Sequence, residues 1–352
     1  MPLPDALRDL LTATGPSGYE TAPSAVLRRH AEAFGAEVTV DAMGNTFAKV
    51  AGTGDGPALA VVGHADEIGL VVTHIDDDGF LWFTGVGGWD PQILVGQRVV
   101  LTTRDGVVPG VLGRKPIHLL DEEERKRVPK LKDLHIDIGA KDGDEARSRV
   151  RVGDTAVVAA EPLELPNDRV VSRAMDNRLG CFVALEAARL VAERGGAPGP
   201  VIAVAAVQEE IGCFGAGAAA FGLQPDVAIV VDVTHETGAP GIDHKQEGKH
   251  GFGSGPVLER GSIINPHVFE RLHDAAEAEG IPFTVAASGG RTYTDADSVH
   301  LSRQGIPTGL VGLPLRYMHS PVEMVSLDDV HGAAKAIAAF AAALEPGTSF
   351  AR

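Results

Sequence analysis

The chain has 352 residues, of which 44% are hydrophobic and 22% charged, with a formal net charge of -17 and two cysteines. This is the balance of a soluble globular protein, long enough for two domains or for one large domain with an insertion. The acidic excess disfavours nucleic acid and anionic membrane surfaces as partners, and no apolar run approaches the ~20 residues that span a bilayer.

Residues 1–11 carry alternating charges and no apolar signal core, which predicts a cytoplasmic protein. Apolar residues recur at helical spacing over 4–11 and 22–34, and Gly15-Pro16-Ser17-Gly18 between them reads as a loop. Strands are predicted at 37–40 and 46–50, about a turn at Met43-Gly44-Asn45. The segments 58–62, 201–207, 227–231 and 308–311 are short, continuous and rich in valine, alanine and isoleucine, as strands buried on both faces are. Helices predicted at 180–193, 266–279 and 327–344 would cover them. The expected fold is therefore α/β, with a mixed, mostly parallel sheet flanked by helices.

The stretch 70–163 has a different texture. Short alternating strands at 71–75, 81–84, 98–103 and 155–159 are separated by glycine turns such as Asp78-Gly79 and Gly87-Gly88, with no long helix. It reads as a small β domain inserted into an α/β domain made of 1–69 and 164–352. The charged run 121–132 within it is expected to be an exposed loop.

In open α/β sheets ligands bind beyond the carboxyl ends of the strands, and those ends are where acids and histidines collect. His64, Asp66 and Glu67 follow 58–62; Glu209 and Glu210 follow 201–207; Asp232 follows 227–231; and 308–311 leads by a loop to His319. Asp176 stands just ahead of a helix, where an aspartate also serves as an ordinary cap. Each residue alone has a structural explanation. A converging set of buried carboxylates would repel itself unless cations offset it, and histidine with carboxylate, without thiolates, suits zinc, cobalt or manganese in a hydrolytic site. Asp66 is placed to accept the second imidazole N–H of His64, and Glu209, beside Glu210, to face an attacking water as general base. Cys181 and Cys213 lack paired spacing with histidines and are expected to be small buried thiols.

The segments Gly-His-Ala-Asp-Glu-Ile-Gly at 63–69, Ala-Met-Asp-Asn-Arg-Leu-Gly at 174–180 and Gln-Glu-Glu-Ile-Gly at 208–212 carry a resemblance, completed by Asp-Val-Thr at 232–234 and Arg-Tyr-Met-His-Ser-Pro-Val-Glu at 316–323. In this order they resemble the dinuclear metallo-aminopeptidases that include glutamyl, lysyl and tetrahedral (TET) aminopeptidases, some of them labelled endoglucanases. The resemblance implies a zinc-exopeptidase-like fold in which Asp176 bridges two divalent ions, His64 and Asp232 complete one site, and Glu210 and His319 complete the other. It implies Glu209 as the base, short peptides with a free N-terminus as substrates, and a PDZ-like dimerisation domain in a homo-oligomer ranging from dimer to dodecamer. A metal-dependent deacylase or carboxypeptidase on the same scaffold, an endoglucanase, and a non-catalytic relative are the competing readings. Tyr293 stands where a small residue is expected in a glycine-rich loop, so it either narrows the pocket or faces solvent.

Overall fold

The four continuous apolar segments are indeed strands. In the computed structural model, which describes residues 2–352, Leu59–His64 (β3), Val201–Ala206 (β12) and Thr308–Leu315 (β16) are buried at every position. Val227–His235 (β13) is buried through Asp232. With Glu37–Val40 (β1), Thr46–Val50 (β2), Val257–Gly261 (β14) and Thr284–Ser288 (β15), they form an eight-stranded sheet in the order β1-β2-β12-β3-β13-β16-β14-β15. The sheet is mixed. Its middle strands β12, β3, β13 and β16 run parallel, β2 and β14 join them antiparallel, and β15 is parallel to β14.

Helices flank this sheet, and Met175–Glu193 and Pro266–Ala278 lie in one layer with Leu327–Ala342 packed between them. The first begins five residues before the sequence predicts, because 175–179 is buried all round and offers no amphipathic edge; Asp176 and Asn177 within it are not helical. Helix Phe214–Leu223 escapes sequence reading, since its glycines and alanines carry no apolar periodicity.

The helix Met175–Glu193 approaches β3 so closely that a Cβ on Gly63 would lie 2.3 Å from the Gly180 carbonyl carbon and 2.5 Å from Cys181 N. The opposing atoms are backbone and have nowhere to retreat. Gly63→Ala is therefore expected to lower unfolding stability by about 3 kcal/mol, the upper part of the usual overpacking range. A urea midpoint equal to that of the native chain would show that strand and helix can separate at little cost.

Between β3 and β12 the chain builds a second, smaller unit. Gly69–Ile75 (β4), Leu81–Val86 (β5), Arg98–Thr103 (β6), Gly106–Gly113 (β7), His135–Asp137 (β8) and Thr155–Val158 (β9) close into a barrel in the order β4-β5-β8-β7-β6-β9. It has its own apolar centre, including Leu70, Leu101 and Ile136. The run 121–132 is mostly exposed, yet it is not only loop: Glu122–Lys126 is a short helix started by an Asp121–Glu124 capping box. A three-stranded sheet of Leu163–Leu165 (β10), Arg169–Ser172 (β11) and Glu323–Ser326 (β17) then leads the chain back. Among the described residues no helix is long and apolar enough to cross a membrane.

Candidate active site

Parallel register aligns the ends of the central strands. His64 is the last residue of β3, and Asp232 lies two residues beyond the Val230–Val62 pair that joins β13 to β3. Glu209 and Glu210 follow β12 after Val207 and Gln208, Asp176 lies at the start of its helix, and His319 sits in the turn between β16 and β17. The fold thus brings together His64, Asp66, Asp176, Glu209, Glu210, Asp232 and His319. His64 Nε2 lies 3.2 Å from Asp176 Oδ1, 3.7 Å from Glu209 Oε2 and 4.0 Å from Asp232 Oδ1. His319 Nε2 lies 3.3 Å from Asp176 Oδ2 and 3.4 Å from Glu210 Oε1. The two oxygens of Asp176 therefore face two different imidazoles.

Both rings are aimed from behind. His319 Nδ1 is 2.8 Å from the Gly88 carbonyl oxygen and His64 Nδ1 is 3.3 Å from that of Asp66, which leaves each Nε2 turned to the centre. Gly88 belongs to the barrel, so the smaller unit orients a side chain of the larger one. Its neighbour Gly87 has φ 72°, and a Cβ there would meet Ile68 at 2.5 Å and Glu210 Oε2 at 3.0 Å. Only glycine combines that backbone with that approach. Ala174, Gln208, Cys213, Tyr317 and His319 also hold left-handed backbone without being glycine, a concentration of strain characteristic of functional sites.

Asp66 does more than meet His64 at 3.4 Å. Fully buried, it accepts the backbone N–H groups of Glu209 and Glu210, both at 3.1 Å, and the Ser17 hydroxyl at 2.5 Å. Asp66→Ala would orphan two part-buried N–H donors at the segment carrying both glutamates, each unmade bond costing about 1–3 kcal/mol at most. The expected result is a stability loss of about 2–4 kcal/mol together with a fall in kcat. A variant with native melting temperature and native kcat would show that water replaces the carboxylate without consequence.

The electrostatics call for added positive charge. Burial opposes protonation of His64, but Glu209, Asp176 and Asp66 outweigh it and hold its pKa well above the usual imidazole value. Asp176 and Glu210 carry His319 up to about 11. Burial, reinforced by Asp176, pushes Glu210 up to about 7 and raises Asp232 well above the carboxylate range. Left to itself the cluster gathers protons on both acids and bases. Oε1 of Glu210 is buried without a hydrogen bond, and a cavity of about 10 Å³ opens among Asp176, Glu210 and His319, room for one small ion or water. Ligand atoms of His64, Asp176 and Glu210, and likewise of His64, Glu209 and Asp232, lie within 4.8 Å of one another. Buried carboxylates and imidazoles without thiolates fit divalent cations.

Several contributors were not assigned a role from the sequence. Glu323, buried at the start of β17, accepts the N–H of His319 at 2.8 Å and that of Asp176 at 3.2 Å. Glu67 is buried between Arg173, with which it pairs closely, and Arg178, whose Nη2 is 3.4 Å away. These links appear only once strands distant in sequence are side by side. Cys181 is buried as expected; Cys213 is only half-buried, and its thiol lies 3.3 Å from Glu209 Oε1. Tyr293 faces solvent, 83% exposed, with the Arg291 guanidinium 5.8 Å from its ring centroid.

The chain is similar in sequence and in fold to known aminopeptidases. The chain is 33% identical to the lysyl aminopeptidase of Pyrococcus furiosus over 350 residues, covering 97% of each chain. A TET aminopeptidase from a marine sediment Thaumarchaeota archaeon superposes with a TM-score of 0.92 at 35% identity, over 97% of this chain and 96% of that one. The Pyrococcus horikoshii TET1 peptidase, which can assemble into a tetrahedron or a large octahedral shell, gives 0.83 at 32% identity, over 97% and 99%. The model of the M42 glutamyl aminopeptidases matches residues 44–335, a span that holds every histidine and carboxylate of the centre, and the chain belongs to that family of peptidases.

Proposed function

We propose that the chain removes N-terminal residues from short peptides, with two divalent ions, zinc or alternatively cobalt or manganese, held by His64, Asp176, Glu210, Asp232 and His319. The observation that carries this reading is the Asp176 carboxylate, whose oxygens lie 3.2 and 3.3 Å from the Nε2 atoms of His64 and His319. A carboxylate so placed is a natural bridge, with Asp232 on the His64 side and Glu210 on the His319 side. When bound, such ions polarise a carbonyl and lower the pKa of water.

The remaining chemistry belongs to the chain. Glu209 has no assigned place among the ligands; its Oε1 receives the Cys213 thiol and its Oε2 faces the centre. Burial raises its pKa, which suits a carboxylate that must both take and return a proton. Glu209 accepts the proton of the attacking water as the oxygen bonds to the scissile carbonyl carbon. It then delivers that proton to the leaving nitrogen as the C–N bond breaks. Asp66 and Glu323 hold this frame through backbone N–H groups, positioning rather than touching substrate.

Residues 70–163 are read as an inserted, PDZ-like dimerisation domain, and 1–69 with 164–352 as the catalytic domain, working in the cytoplasm as a homo-oligomer of two to twelve subunits. The assembly of the Pyrococcus horikoshii relative supports the last point, and light scattering on the full chain tests it. The activity test is a panel of aminoacyl p-nitroanilides, free or N-acetylated, with zinc, cobalt or manganese and with chelator. Metal-dependent cleavage of the free-amine substrates alone is expected. Turnover of N-acylated substrates alone would favour a deacylase, and chelator-resistant release of sugar from cellulose would favour an endoglucanase.

A further inference from the structure

Beside the histidine–carboxylate cluster a second cavity of about 130 Å³ opens on the face of the large sheet, with both Asp232 and Glu259 in its lining. Register explains its shape. Asp232 is opposite Gly312 across the β13–β16 pair, and Gly312 is opposite Val257 across the β16–β14 pair. Directly opposed residues share a face, as do residues two apart on one strand, so Asp232, Thr234, Gly312 and Glu259 all look into the same space. A Cβ at 312 would lie 3.0 Å from Thr234 Cγ2 and 3.4 Å from Val257 Cβ. The missing side chain at that position is what leaves the floor open.

Two strand spacings and two residues separate Asp232 from Glu259, on the order of 12 Å between backbones. That is a reach for a long unbranched side chain with its charge at the end; leucine or valine anchored at the same place falls short of the acid. Glu259 is half-buried, and burial raises its carboxyl pKa, with only the Ser288 hydroxyl working the other way. Among the described residues no basic side chain is paired with it. A partly desolvated carboxylate without a counter-charge is a binding deficit that an incoming cation removes. Arg291, the basic residue among those lining the pocket, donates its Nε–H to Asp297 Oδ2 at 3.0 Å, and its side chain is 72% exposed. A substrate carboxylate entering the pocket would meet the unpaired Glu259, a like charge that discriminates against it.

We propose that this pocket receives the first side chain of the substrate and that Glu259 selects a basic one, lysine or arginine. The inference rests on the aminopeptidase reading above, with the substrate amine held at the Asp232 end. Thr234 and Ser288 supply polar walls along the path, and Gly312 sets its width.

The test compares Lys-, Arg-, Leu- and Glu-p-nitroanilides on the native holoenzyme, on Glu259→Gln and on Glu259→Lys. A desolvated charge pair predicts a Lys/Leu ratio of kcat/KM roughly tenfold or more in favour of lysine, with glutamate slowest. Glu259→Gln is expected to erase most of that ratio, and Glu259→Lys to invert the Lys/Glu preference. Calorimetric binding of lysinamide and leucinamide to the same three proteins reads the pocket without turnover. Metal-dependent cleavage of Leu-p-nitroanilide with no lysine advantage, and no change of ratio in either variant, would overturn the assignment of Glu259 while leaving the aminopeptidase intact. Absence of turnover on every free-amine substrate would sink the aminopeptidase reading itself. In that case equal binding of the two amides, unaffected by Glu259→Gln, overturns the pocket as well, and tighter lysinamide binding that the variant abolishes upholds it.

Discussion

Glu209→Gln is expected to lower kcat by roughly 10²–10⁴-fold, the usual worth of a positioned general base, while the protein keeps two metal ions per chain. The two halves of that expectation have separate origins. Gln is nearly isosteric and keeps an oxygen for the Cys213 thiol, whose own pKa is raised by burial and by Glu209, so that it stays a donor. What is lost is the ability to accept a proton at the atom 3.7 Å from His64 Nε2. None of the five proposed ligands is altered, so metal analysis of the dialysed variant should match the native chain. KM should move little, because the substrate's amine and carbonyl are held elsewhere. Native turnover in the variant would remove Glu209 from the mechanism; loss of metal together with turnover would make it a ligand instead.

The success of sequence reading here has a simple physical source. Strands buried on both faces must be continuously apolar, which locates β3, β12, β13 and β16 to within a few residues, while flanking turns bound the part-exposed strands 37–40, 46–50 and 98–103 as observed. Acids and histidines that follow such strands stand out in the sequence, which makes His64, Glu210 and Asp232 legible as candidates. The strands β14 and β15 have no such signature: β15 alternates between partly buried and exposed, and β14 has only Val257 and Leu258 buried before Glu259 and Arg260, so Glu259 is not legible in the sequence as a pocket residue. The same holds for the contact of Glu323 with Asp176 and for the pairing of Glu67 with Arg173 and Arg178, whose partners lie more than a hundred residues away. Gly87-Gly88 was read only as a turn. That it presses against Glu210 and orients His319 depends on how the barrel leans on the sheet, information that no local pattern holds. The segment 227–231 runs on as strand to His235, so Asp232 projects from regular structure, a more rigid mount than the loop implied by the apolar run alone.

Asp176→Asn is expected to abolish activity and to reduce bound metal from two ions to fewer than one per chain. The substitution hardly changes volume, so its effect isolates charge and donor chemistry. Each Asp176 oxygen now faces an imidazole Nε2, at 3.2 and 3.3 Å; an amide offers one oxygen and one N–H₂ group, and the latter has no lone pair for a cation. Burial opposes ionisation of Asp176, yet His319 and His64 hold its pKa below the usual carboxylate range, so the native group is a full negative charge. A stability measurement gives an independent readout. Cations that bind only the folded chain stabilise it by about 2.7 kcal/mol at a hundred times their dissociation constant, so a chelator should lower the melting temperature of the native protein and zinc should restore it. In Asp176→Asn the melting temperature should respond to neither. A variant that still holds two ions, and still melts lower in chelator, would show that the two halves of the centre bind independently and that Asp176 is not their bridge.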